Sequence, residues 1–294
     1  MPELEGPRGP IPYTRDQWGY PRIEAWNFRD GTWARGWFHA TDRRFQVELL
    51  RFAAEGRLME ILGPERFARV VDRNVRMLGI PNGLAEQQAK LTPEALKMCQ
   101  SYCEGFNSAG RGLPVACRVL GIEDRPWTVR DVLLVYRLVV WFGLTSLTQT
   151  GKVAVGQLIA GGVDATFLRM LLGPGAEGID LDACKDLTWD EEYGLPGLTL
   201  QYGSNAFAVA AERSTSGAPL LMTEFHMEVA RFPPVMHVTN VHYADGGYVQ
   251  GVSVPGLPVF SAGRTSHVGW GFTFGHADNV DITLQRCRDS SRQS

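Results

Sequence analysis

The hydrophobic spacing of this chain changes period once, near Ser204, and that change limits the folds open to it. Upstream, Leu49, Leu50, Phe52, Leu58, Ile61 and Leu62 recur at near-helical spacing through FQVELLRFAAEGRLMEIL. Further helices are predicted over 64–78, 93–107, 128–145 and 153–172. The third has a start signal: Thr128 follows Pro126-Trp127, and Asp131 lies three residues on, the spacing of a capping box. A Gly-, Pro- and Asp-rich segment over 173–190 reads as a loop and leads into acidic WDEEYGLPG. Beyond Ser204 the runs AFAVAA, PLLMTEF, VMHVTNVHY, YVQGVSV, LPVFSAG, HVGWGFTF and VDITLQRC are short and rich in Val, Phe, Thr and Tyr. Ser-Gly, Asp-Gly-Gly and Pro-Gly signals separate them, which reads as a meander. Its connections are too short for helical crossovers, so it is expected to be mostly antiparallel. A helical part followed by a run of strands argues for the α+β class.

A chain of 294 residues can bury a large core. Its net charge of −3 gives no basis for a nucleic-acid or polybasic membrane partner, so neither is expected. The longest apolar stretch, 132–144, carries Arg137 and is too short to span a bilayer. The N-terminal MPELEGPRGPIPYTRDQWG has Pro and charge where a secretory signal has an apolar block, so the chain as written is expected in the cytoplasm. Five cysteines (Cys99, Cys103, Cys117, Cys184, Cys287) form no Cys-x-x-Cys pair. Cys99 and Cys103 have the spacing of core residues on a helix, and no disulfide framework is expected.

Three apparent sites fail on their own chemistry. GKV at 151–153 lacks the Ser or Thr after lysine and the upstream glycine of a phosphate loop. His237 and His242 point to opposite faces of a strand, which disfavours zinc and suggests surface or half-buried histidines. A triad drawn from Ser204, His226 and Asp281 has no G-x-S-x-G elbow. Gly203-Ser204-Asn205 remains open to two readings: a turn before a strand, or a cut site whose new N-terminus does chemistry.

A series of blocks in fixed order bears on that choice. DQWGYPRIEA (16–25) is followed by GWFHATDRRFQVELLRFAAEGRLMEILG (36–63), SYCEGFNS (101–108) and PWTVRDVL (126–133). YGSNAFAVAAERSTSGAPLLMTEFHME (202–228) and VSVPGLPVFSAGRTSHVGWGFTFGHADNVDI (252–282) complete it. Together they resemble the penicillin acylase (penicillin amidase) family of N-terminal nucleophile hydrolases, from about residue 16 almost to the end of the chain.

The resemblance implies an αββα sandwich, incomplete here, in which a helical N-terminal part precedes an antiparallel sheet region. Residues 1–190 would be the helical, alpha-chain-like region, 191–203 a spacer, and 204–294 the start of the beta-chain-like nucleophile region. It also implies a zymogen that cleaves itself between Gly203 and Ser204. Ser204 then supplies both hydroxyl nucleophile and free α-amine, whose intrinsic pKa of about 8 suits a base at working pH. His226 would orient that amine. The N–H of Phe274, within WGFTF, would be one oxyanion donor. Asp278, the Val280 carbonyl and Asp281 would hold a structural calcium. The same residues also read as an Asp-Asn turn, because LTQTGKV (147–153) offers no carboxylate to complete the set.

No cofactor is needed for the chemistry. The implied substrate is a small-molecule amide, penicillin-like or another N-acyl compound, and the histidine at 226 leans towards acyl groups other than phenylacetyl. A second oxyanion donor, an Asn, and an assisting Arg fall further downstream in the family than the roughly 90 residues that follow Ser204. This polypeptide alone is therefore expected to accumulate uncleaved with little activity, unless another chain supplies the missing C-terminal portion. The competing reading is a non-catalytic homologue with a binding role or none. The family is commonly exported, against the cytoplasmic reading of this N-terminus.

Overall fold

The computed structural model describes residues 1–110, 112–173, 203–227 and 235–273. Contacts divide the chain into two compact units, one built from Met1–Leu138 with the residues from Gly203 to Thr273, the other beginning at Val139.

The first unit opens with three strands, β1 (Glu3–Gly6), β2 (Gly9–Arg15) and β3 (Pro21–Ala25), inside the region read as mostly helical. Their signal was present: in β3, Pro21, Ile23 and Ala25 are buried while Arg22 and Glu24 turn outward, the alternation of a half-buried strand. Helix α1 (Phe28–Glu55) follows, capped by Asn27, whose side chain accepts from the Asp30 N–H, and stopped by Gly56 in the left-handed region. Then come α2 (Leu58–Leu62), α3 (Arg66–Met77), α4 (Leu84–Ala89), α5 (Pro93–Ser108), α6 (Val115–Val119) and α7 (Val129–Val140). The start of α7 is the predicted capping box: the Asp131 carboxylate accepts from the Thr128 N–H at 2.8 Å and Thr128 Oγ1 from the Asp131 N–H at 3.4 Å. Helices α1 and α5 touch backbone to backbone. A methyl on Gly36 would strike the Tyr102 carbonyl, and one on Gly105 the Trp33 carbonyl. Cys99, Cys103 and Cys117 are buried free thiols.

After Gly203 come β4 (Gly203–Val209), β5 (Leu220–His226), β6 (His237–Tyr243), β7 (Tyr248–Ser253), β8 (Ala262–Thr265) and β9 (Gly269–Trp270). Only the Ala262-Gly263 end of LPVFSAG is strand. Pro258 has no N–H, and the Pro258 and Val259 carbonyls are taken by the buried Arg35 guanidinium at 2.6 and 3.3 Å. The sheet runs β1-β2-β3-β6-β7-β8-β9, and β4 with β5 forms a separate ribbon. Every pairing is antiparallel except β3 with β6, where Ile23 lies beside Val241. On one side of the sheet Leu4, Ile11, Ile23, Val241 and Val249 pack against Trp33, Ala34 and Phe38 of α1.

A buried polar chain also joins helices to sheet. His39 Nδ1 meets Tyr102 Oη at 2.7 Å, His39 Nε2 meets Ser253 Oγ at 3.1 Å, and the Gly256 N–H donates to Tyr102 Oη at 3.0 Å. His237, expected at the surface or half-buried, is buried instead: Asp42 and Thr239, each 3.1 Å away, satisfy its two ring nitrogens. His242 is half-buried and stacked on Tyr248.

In the second unit a π-helical turn (Trp141–Thr145) leads into α8 (Ser146–Ala160) and α9 (Ala165–Leu172). The single helix expected over 153–172 is broken because Gly162 takes a left-handed φ of 79° and Asp164 caps a new start. Ile159 and Leu168 form its small core with Val155 and Val163. Among the described residues no helix is long and apolar enough to cross a membrane. The 173–190 loop beyond Gly173, the WDEEYGLPG segment and VDITLQRC lie outside the described residues.

Candidate active site

The β4–β5 ribbon is held in one register, with Gly203 opposite His226, Ser204 opposite Phe225 and Asn205 opposite Glu224. Because side chains alternate across a strand, Asn205, Glu224 and His226 share one face with the Cα hydrogens of Gly203, while Ser204 lies on the other. The contacts follow that division.

On the first face, His226 Nε2 is 2.9 Å from Glu224 Oε1, and Asn205 Nδ2 is 2.7 Å from the same oxygen. These two bonds hold the Glu224 carboxyl below its ordinary value, the histidine contributing most. An ionised carboxylate only accepts, so Nε2 carries the proton that binds it, and in the neutral ring Nδ1 is left basic. Asn205 Nδ2 and His226 Nε2, 3.2 Å apart, are then two donors sharing one acceptor. Nδ1 lies over Gly203, where a Cβ would sit 2.7 Å from it. The imidazole therefore occupies the space a Cβ at position 203 would need, and any larger residue there would displace the ring.

On the other face, Ser204 is half-buried and donates its hydroxyl to Thr273 Oγ1 at 3.1 Å. Thr273 Oγ1 donates in turn to the Ser204 carbonyl at 2.8 Å. The partners are 69 residues apart in the chain. Trp270 turns away into the main core, its indole N–H bonded to the Phe260 carbonyl at 3.2 Å.

Of the site residues expected from sequence, Gly203, Ser204 and His226 come together in one ribbon. Ser204 and His226 stand on opposite faces of it. Phe274, Asp278, Val280 and Asp281 lie outside the described residues. Among the described residues no group of three or more His, Cys, Asp or Glu side chains is arranged to hold a metal. Sequence reasoning passed over Asn205, Glu224 and Thr273. The first two were readable, since Glu224 and His226 share a strand face by their spacing and Asn205 adjoins Ser204. Thr273 sits beside the position assigned to the oxyanion donor, and nothing local tied its hydroxyl to Ser204.

Comparison with known proteins gives this geometry a setting. The family model described as penicillin amidase matches residues 13–294. The penicillin acylase 2 proenzyme of Pseudomonas sp. (strain SE83) is 30% identical over 318 residues, covering 98% of this chain and 39% of that protein. The acyl-homoserine lactone acylase QuiP of Pseudomonas putida is 26% identical over 317 residues, covering 99% of this chain and 37% of that one. Among solved structures, a thermostable penicillin G acylase from Alcaligenes faecalis matches with a TM-score of 0.44 and 21% identity, over 58% of this chain and 90% of that chain. The chain thus spans about two-fifths of the length of the curated relatives it matches.

Proposed function

The chain belongs to the penicillin amidase family, and on that premise we propose that it carries the nucleophile-bearing part of an amide hydrolase that acts on small N-acyl compounds through Ser204. The observation that carries this reading is the Gly203–Ser204 peptide at the head of β4, with Ser204 Oγ held by Thr273 and the imidazole of His226 packed over Gly203.

The chemistry runs in two stages. Ser204 Oγ attacks the Gly203 carbonyl carbon, the C–N bond breaks as the nitrogen takes a proton, and the chain is joined through an ester. Water hydrolyses that ester, leaving a Gly203 carboxylate and a free Ser204 α-amine. In the second stage the amine takes the Oγ proton as Oγ attacks the acyl carbonyl of the substrate, and returns it to the departing amine. Hydrolysis of the acyl-ester releases the acid. His226 orients the amine, the Phe274 N–H is one oxyanion donor, and Asp278, Val280 and Asp281 are the candidate ligands of a structural calcium that takes no part in the reaction. A single oxyanion donor in acyl-transfer sites is worth on the order of 100- to 1000-fold in rate.

Hydroxylamine separates nucleophilicity from completed processing. At neutral pH under native conditions it intercepts an ester at Ser204, so intact-mass spectrometry should find residues 1–203 as the hydroxamate together with residues 204–294. Cleavage that survives Ser204→Ala, or no cleavage in hydroxylamine, would refute the nucleophile reading and leave a non-catalytic homologue in its place.

A further inference from the structure

Three successive same-face positions of one short segment meet the ribbon. Gly269 and Gly271 face Leu221 and Thr223 of β5, and Thr273 faces Ser204 of β4. The spacing is that of a strand, and the intervening Trp270 points the opposite way into the core. At Gly271 the contact is closer than a side chain allows, since a Cβ there would lie 2.5 Å from Thr223 Cβ; one on Gly269 would lie 2.8 Å from Leu221 Cδ2 and push that methyl aside. Thr223 Oγ1 is buried at this contact with no hydrogen-bond partner, so the ribbon is pressed onto the glycines at the expense of a hydroxyl.

We infer that Gly269-x-Gly271-x-Thr273 is a docking track for the nucleophile strand, in which the two glycines bring the ribbon within reach and Thr273 is a positioning residue for Ser204. The bond pattern explains why threonine suits the place. One hydroxyl accepts from Ser204 Oγ and donates to the Ser204 carbonyl, which ties the side chain and the backbone of the same residue to a single point. That fixes the rotamer of Ser204 and hence the direction in which its oxygen is presented. Thr273 Oγ1 accepts from Ser204 Oγ while giving its own proton to the Ser204 carbonyl, so its role is to position the hydroxyl.

The inference rests on Ser204 being the nucleophile only for its consequence in cleavage, and two readouts keep the parts distinct. In full-length protein carrying labelled serine, three-bond couplings report the Ser204 rotamer whether or not the chain is cut. Thr273→Val keeps the shape and removes the hydroxyl, and is expected to average those couplings and slow hydroxylamine cleavage roughly five- to tenfold. Thr273→Ser should restore both, which a purely steric role would not produce. Gly271→Ala, with the hydroxyl still present, should release the rotamer as Thr273→Val does. If the rotamer stays fixed in Thr273→Val, or cleavage proceeds at the unmodified rate, Thr273 does not position Ser204 and the inference fails while the nucleophile reading stands. If the unmodified chain resists hydroxylamine but loses its fixed Ser204 rotamer in Thr273→Val, the positioning holds and the nucleophile reading fails.

Discussion

His39 and His237 stack edge to face with ring centroids 5.0 Å apart, and both sit away from water. Burial, their mutual proximity and Arg35 and Arg43 push His39 well below its ordinary value. Burial also lowers His237 and outweighs the opposing pull of Asp42. A base depressed in the folded state binds its proton more readily when unfolded. The stability these histidines contribute is thus fully present above about pH 6.5, the ordinary histidine value, and is lost as the pH falls through their folded values. Urea midpoints should hold between pH 7.5 and 6.5 and fall from there to pH 5, and His39→Gln should flatten that fall even if it lowers the midpoint at every pH. His237 also shows where residue-level reading stops. Its face on β6 followed from spacing, but its burial depended on Asp42, 195 positions away.

At the scale of elements, helices announce themselves locally and their contacts do not. The expected spans 64–78 and 93–107 correspond to α3 and α5, because the 3.6-residue period and the caps are written within each stretch. The Thr128–Asp131 box works the same way. What the period could not convey is that α1 and α5 meet through Gly36 and Gly105 with no room for a methyl group. Gly105→Ala would favour the helix intrinsically and still force the pair apart. It should destabilise the protein by about 1–3 kcal/mol in urea titration, the usual cost of overpacking, and a stabilising result would contradict the contact. The ribbon has the complementary character: Phe207, Leu220 and Leu221 are exposed although the strands were plain from composition.

At the scale of the molecule, the Gly203–Ser204 bond divides the chain without dividing its sheet. Strand β3 precedes the bond and β6 follows it, and they are parallel neighbours. Arg35 bonds to Pro258 and Val259, His39 to Ser253, and Tyr102 to Gly256 across the same division. After cleavage, residues 1–203 and 204–294 are therefore expected to elute as one species in native size-exclusion chromatography and to separate in denaturant. Separation under native conditions would mean that the shared sheet does not hold them.

The sequence by itself determined the elements whose stabilising contacts lie within a few residues: the helices and their caps, the runs of β-branched residues after Ser204, and the Gly-Ser bond that opens one of them. It also carried, through blocks in a fixed order, the family. Only the tertiary structure decided that β3 pairs with β6, that His237 is buried, that Ser204 and His226 take opposite faces of the ribbon, and that Thr273 reaches Ser204. Each depends on residues distant in the chain meeting within hydrogen-bond range. Periodicity specifies which face a residue occupies, whereas the partner on that face is chosen by packing.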